Sequence, residues 1–181
     1  MRTLQLGTSS IVSSRLAYGC WRIAGPGAPR EFTPENEAAG KRAVIAAYES
    51  GYTLFDNADI YAGGLAEQIF GRVLHEVSGM RERVLVATKC GVQHSGQPNP
   101  NSPQRWDFSA EHILKSCEGS LKRMAIETID LYMLHRPDFL ADPDEIAGGC
   151  RIPAFAQPVD AATRQHQQAV FHHVGLDHAE R

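Results

Sequence analysis

One pattern constrains this chain more than any other. Short apolar runs alternate with helical segments, and three successive runs end in a side chain able to do chemistry. Tyr52-Thr53-Leu54-Phe55 leads to Asp56, Val84-Leu85-Val86-Ala87-Thr88 to Lys89, and Ile129-Asp130-Leu131-Tyr132-Met133-Leu134 to His135. Near-continuous apolar runs suit parallel strands buried on both faces. The intervening segments have helical spacing. Ile69, Val73, Leu74 and Val77 share one face over 66–77, and Ile113, Cys117, Leu121 and Met124 share another after a capping Ser109. An earlier helix starts with Thr33 as cap, Pro34 in the first turn, and Glu35 and Glu37 at the positive helix end. Its buried face is Gly40, Val44, Ala47 and Tyr48, and Gly51 marks its stop. Strand and helix alternate throughout, which argues for an α/β fold with a parallel sheet.

The rest of the chain fills in around this frame. Thr3 to Gly7 and Ile11-Val12 read as a short hairpin, and Leu16-Ala17-Tyr18 as a strand ending in Gly19-Cys20-Trp21-Arg22. Residues 23–32 read as loop. Residues 91–108, with Pro98, Pro100 and Pro103, read as a long polar loop of the kind that usually serves function. Asp144 to Ala147 opens a fourth helix. Length allows one sizeable domain, and 43% apolar with 22% charged residues is a globular balance. A net charge of −3 gives no basic field for nucleic acid or an anionic membrane. No apolar run approaches the roughly 20 residues of a membrane span, and Met1 to Ser10 lacks a signal-peptide core. Cys20, Cys90, Cys117 and Cys150 form no CxxC pair. A disulfide scaffold or zinc site is therefore not expected, and a reducing cytoplasm is the expected compartment.

In parallel α/β folds, sites form at the carboxyl ends of the strands. That brings Asp56, Lys89 and His135 together, with Tyr61 on the loop that follows Asp56. A phenol titrates near about 10, too high for easy proton transfer at neutral pH, and a neighbouring ammonium favours the phenolate. An aspartate keeps that ammonium charged and fixed. A histidine can orient a carbonyl or join the relay. Such a set makes a proton donor beside a carbonyl oxygen, and the hydride then has to come from a nicotinamide. Singly, each residue has an ordinary alternative: Asp56 a cap, Lys89 a solvated strand end, His135 a core histidine, Tyr61 a packed loop aromatic. Their conjunction at consecutive strand ends favours chemistry. A Rossmann-type binding domain is the weaker reading, because no Gly-x-Gly-x-x-Gly turn follows the first strand.

These residues resemble the aldo-keto reductase family, in its bacterial YdhF-like branch. Gly51 to Tyr61 is similar to the segment carrying the family's catalytic aspartate and tyrosine. Val86 to Gly91 is similar to its lysine segment, Asp130 to Asp138 to its histidine segment, and Gly19 to Arg22 to the turn after its first barrel strand. The resemblance covers about residues 1–147. It implies the N-terminal half of a (β/α)8 TIM barrel with an N-terminal hairpin, and an enzyme that reduces a small-molecule aldehyde or ketone. It implies NADPH as the usual hydride donor, with NADH open. Tyr61 would be the general acid, Lys89 and Asp56 would tune it, and His135 would orient the carbonyl. Gly19, Cys20, Trp21, Arg22 and Asp56 would border the cofactor. Asn57 stands where the family commonly has Thr or Ser, a departure expected to matter little.

The resemblance stops short of a whole barrel, which takes about 250 residues. The segments in which the family makes most of its adenine and 2′-phosphate contacts have no counterpart in this sequence. A half barrel would leave the first and fourth strand edges unpaired, which opens self-association through them. Residues 148–181 read as a divergent tail, frameshifted or disordered, with a weak polar helix over Thr163 to Val174. Its histidines (His166, His172, His173, His178) lack the spacing of a metal site. The rival to the reductase reading is a truncated, catalytically silent fragment without its cofactor-binding half.

Overall fold

The computed structural model describes residues 1–25, 32–136, 138, 141, 142, 144 and 146, and the backbone of 170–175. The expected hairpin is present: β1 (Thr3–Gln5) pairs antiparallel with β2 (Val12–Ser14), Leu4 opposite Ser13. The main sheet follows from β3 (Ala17–Gly19), β4 (Leu54–Asp56), β5 (Leu85–Cys90) and β8 (Thr128–Leu134), all parallel and in that spatial order. Registers of Gly19 with Asp56, Asp56 with Ala87, and Lys89 with Met133 align the carboxyl ends.

The helices form where their termini are chemically satisfied. In α1 (Pro34–Glu49), Thr33 accepts from the Asn36 amide, with Pro34 in the first turn; the helix ends at Ser50, and Gly51 takes a φ of 87°. In α3 (Ala110–Met124), Ser109 accepts from the His112 amide. α2 (Leu65–Glu76) buries Ile69, Phe70, Val73 and Leu74 against the sheet. Phe70 stacks on Phe55 of β4 with centroids 5.2 Å apart, both fully buried; truncating either would cost about 3–5 kcal/mol. Gly71 lets α2 approach α3 closely, since a Cβ there would lie 2.4 Å from the Met124 carbonyl oxygen. The Tyr132 hydroxyl of β8 donates to the Ile113 carbonyl at 3.2 Å, tying the sheet to α3.

Three expectations change. Residues 91–108 are not all loop: β6 (Val92–Gln93) pairs antiparallel with β7 (Arg105–Trp106). Side chains stabilise this small hairpin: Arg105 bonds Gln93, and Gln93 donates to Asp107 at 2.8 Å. The polar helix expected up to Val174 gives way, over its last residues, to a strand. β9 (Val170–Gly175) pairs antiparallel with β8, Ile129 opposite Val174 and Tyr132 opposite Phe171. β-branched and aromatic residues favour this, and an open strand edge offers a template. The fourth strand is therefore not the unpaired edge anticipated; among the described residues the open edges are β3 and β9. Asp144 and Ile146 are helical, as expected of a fourth helix. Its continuation at Ala147, the rest of the divergent tail and the remainder of Thr163 to Val174 lie outside the described residues.

Candidate active site

Lys89 is the hub of the carboxyl-end cluster. Its Nζ pairs with Asp56 Oδ1 at 2.8 Å and donates to Tyr61 Oη at 3.1 Å and to the Asn57 carbonyl at 2.7 Å. An ammonium has three donors, and all three are engaged. Local backbone bonds deliver Tyr61 to this point. The Asn57 amide donates to the Ala87 carbonyl at 2.8 Å and the Asp59 amide to the Lys89 carbonyl at 3.0 Å, so the loop after β4 is fastened along the end of β5. Ala62, Gly63 and Gly64 then all take positive φ (50°, 64° and 91°), turning the chain sharply into α2. His135 arrives just beyond β8, where its amide donates to the Cys90 carbonyl at 2.8 Å. Its ring meets the Tyr61 ring edge-on with centroids 5.7 Å apart.

The electrostatics fix the state of His135. Burial, then the Lys89 and Arg136 cations, push its imidazole down to about 4 against the opposing pull of Asp56. The ring is therefore neutral at neutral pH. Its Nδ1 is buried without a hydrogen-bond partner.

The four residues expected to form the site, Asp56, Tyr61, Lys89 and His135, are thus brought together. The cofactor-bordering set divides. Gly19, Trp21 and Arg22 are exposed at the mouth, where Trp21 lies 6.4 Å from the Tyr61 ring and the Arg22 guanidinium 4.5 Å from the Trp21 ring. A Cβ on Gly19 would meet nothing within 4 Å, so the space in front of that turn is open. Cys20 instead points into the core and is fully buried; burial and then Asp56 push its thiol up. Among the described residues no three His, Cys, Asp or Glu side chains gather as metal ligands.

A layer beneath the site was not anticipated. Glu67 of α2 is fully buried, accepts from Thr88 Oγ1 at 2.6 Å and pairs with Arg123 of α3 at 2.6 Å. Its place on the buried face, three and seven residues before Phe70 and Leu74, was the available signal. Asn57 is fully buried, with its side chain set beside the Cys20 thiol.

A parallel sheet with helices, bearing this constellation at its carboxyl ends, has the form of a partial (β/α)8 barrel. The chain belongs to the aldo/keto reductase family, whose sequence profile matches residues 15–152. It is 40% identical over 149 residues to a 6-dehydroglucose reductase from Novosphingobium aromaticivorans, covering 79% of this chain and 44% of that protein. It is 35% identical over 126 residues to oxidoreductase YdhF of Escherichia coli, covering 70% of this chain and 38% of that protein. Among solved structures it resembles the holo form of aldo-keto reductase AKR11C1 from Bacillus halodurans, with a TM-score of 0.67 and 32% identity over 83% of this chain and 45% of that one. The glycerol dehydrogenase AKR11B4 from Gluconobacter oxydans matches with a TM-score of 0.67 and 34% identity over 81% and 43%. The chain thus spans less than half the length of these relatives. Among the described residues, no helix is long and apolar enough to cross a membrane.

Proposed function

We propose that this chain carries the proton-transfer half of a nicotinamide-dependent carbonyl reductase, with Tyr61 as general acid toward an aldehyde or ketone oxygen. The observation that carries the reading is the continuous Asp56–Lys89–Tyr61 chain of contacts at 2.8 and 3.1 Å. The Lys89 ammonium donates to Tyr61 Oη, so it stabilises the negative charge left on that oxygen when its proton moves to the substrate. Asp56 holds the ammonium in place. A neutral His135 offers an imidazole N–H to the same carbonyl oxygen.

The open mouth at Gly19, with Trp21 and Arg22 exposed beside it, suits the nicotinamide end of NADPH, or of NADH. Asp56 borders the same space, and Cys20 acts from below by fixing the turn. A reduced nicotinamide, when bound, supplies hydride to the carbonyl carbon. The names of two relatives, a 6-dehydroglucose reductase and a glycerol dehydrogenase, favour a small polyhydroxylated substrate. A reducing cytoplasm fits the buried thiols of Cys20, Cys90 and Cys117. Pairing between copies, where it occurs, would use the open edge of β3.

The test is a fluorescence titration of NADPH into the 181-residue chain and its Tyr61→Phe variant. Saturable binding by both, with turnover lost in the variant, is expected. Full activity in Tyr61→Phe overturns the proton-donor role. Absence of binding up to millimolar cofactor overturns the reductase reading for this chain. It favours the second reading, a catalytically silent partial barrel.

A further inference from the structure

Lys89 and Tyr61 reach the site from different elements, and one buried ion pair is tied to both. Thr88, the residue before Lys89 on β5, faces the opposite side of the sheet. It is fully buried, and its Oγ1 donates to Glu67 Oε1 of α2 at 2.6 Å. Glu67 Oε2 accepts from Arg123 Nε of α3 at 2.6 Å. Arg123 Nη2 also donates to Ser120 Oγ at 3.1 Å. Two glycines leave the arginine its room. A Cβ on Gly64, at the end of the turn that begins at Tyr61, would lie 2.6 Å from Arg123 Cδ, and one on Gly119 would lie 3.0 Å from Arg123 Nη1. The Tyr61 turn therefore rests on Arg123, while β5 is held by Glu67.

Stability alone does not call for this arrangement. Taking two charges out of water offsets most of their attraction, and apolar side chains of similar volume often serve as well or better. What the hydrogen bonds add is a fixed length and direction. The contacts close a ring. Lys89 meets Tyr61 at 3.1 Å, the turn from Tyr61 ends at Gly64 against Arg123, Arg123 bonds Glu67, and Glu67 returns through Thr88 to Lys89. We propose that Glu67 and Arg123 are positioning residues: the pair fixes the Tyr61 turn relative to β5 and so sets the separation of Tyr61 Oη from Lys89 Nζ.

Among the described residues, Glu67 and Arg123 bond Thr88, Ser120 and each other, and neither bonds Asp56, Tyr61, Lys89 or His135. Their effect passes through Thr88 on one side and Gly64 on the other. Proton transfer depends steeply on geometry, and a displacement of about 1 Å can cost 100-fold. Loss of the pair is therefore expected to lower kcat about tenfold or more and to leave KM for the carbonyl unchanged. That consequence rests on the reductase reading; the effect on the Tyr61–Lys89 contact needs neither cofactor nor substrate.

The test replaces the three linked side chains by apolar ones, Thr88→Val with Glu67→Leu and Arg123→Met, so that no charge or hydroxyl is stranded. The readout is the 13Cζ resonance of Tyr61 in tyrosine-labelled protein without cofactor, identified by its loss in Tyr61→Phe. Lys89→Met is expected to move this resonance, because it removes the donor to Oη. The triple variant is expected to stay folded and to move the resonance in the same direction. An unmoved resonance in the folded triple variant overturns the proposal. So does a resonance that Lys89→Met leaves in place, since the contact to be set is then absent. Should the triple variant fail to fold, Thr88→Val alone, which severs only the tie to β5 and leaves Glu67 paired, decides by the same criterion. In turnover, kcat lowered with KM unchanged is expected, and full kcat in the variant overturns the proposal. A parent chain without turnover strikes the reductase reading instead and leaves the resonance to decide.

Discussion

Replacing Arg123 with Met probes the layer on which the site stands. Methionine keeps an unbranched stem beside Gly64 but removes the cation. Glu67, fully buried, would keep a single donor, Thr88 Oγ1 at 2.6 Å, and lose the guanidinium contact of the same length. Removing one partner of a buried ion pair leaves an uncompensated charge and costs about 3–5 kcal/mol. At about 2–4 °C per kcal/mol for a chain of this size, the melting temperature falls by roughly 10 °C. A second substitution separates charge from packing. Glu67→Gln in the Arg123→Met background replaces the stranded carboxylate by a neutral amide that still accepts from Thr88, and it should recover most of the loss. Urea unfolding at neutral pH, followed by far-UV circular dichroism, gives both differences. A loss below about 1 kcal/mol in Arg123→Met would place the pair among weak surface bridges and refute the reasoning. So would a double variant no more stable than the single.

Gly71→Ala drives a methyl into the Met124 backbone and should cost about 1–3 kcal/mol in a denaturant titration, whereas a neutral effect would mean the α2–α3 contact is looser than described. Asp59 and His135 oppose each other in pH dependence. The raised Asp59 carboxyl, at about 7, binds a proton longer in the folded than in the unfolded chain, so its contribution to stability falls as pH rises from the ordinary carboxylate range to about 7. The depressed His135 imidazole, at about 4, has a contribution present above the unfolded histidine range that is lost as pH falls toward about 4. Asp59→Asn should therefore leave stability rising with pH over that window, and His135→Gln should leave it falling. Parallel slopes in the two variants would contradict the assignment.

The frame was legible because its signals are local. Thr33 and Ser109 cap the helices they were expected to cap, and the apolar runs end at Asp56, Lys89 and His135 as strands do. The clustering of these strand ends follows from parallel topology, and Tyr61 joins them through the backbone bonds that fasten the loop after β4 to β5. What escaped sequence reading depends on partners far along the chain. Glu67 and Arg123 are 56 residues apart, and no periodicity links them. The β6–β7 hairpin has two-residue strands, too short to alternate, and is held by Arg105, Gln93 and Asp107 side chains. β9 forms on the edge offered by β8, which a reading of local propensity does not see.

The measurement that tests the central claim most directly is NADPH consumption with a small hydroxyaldehyde, comparing the chain with Tyr61→Phe at matched cofactor saturation. The account predicts turnover in the parent and a loss of about 100-fold or more in the variant, the scale of a lost general acid, with cofactor affinity unchanged. Equal rates in the two proteins would contradict it.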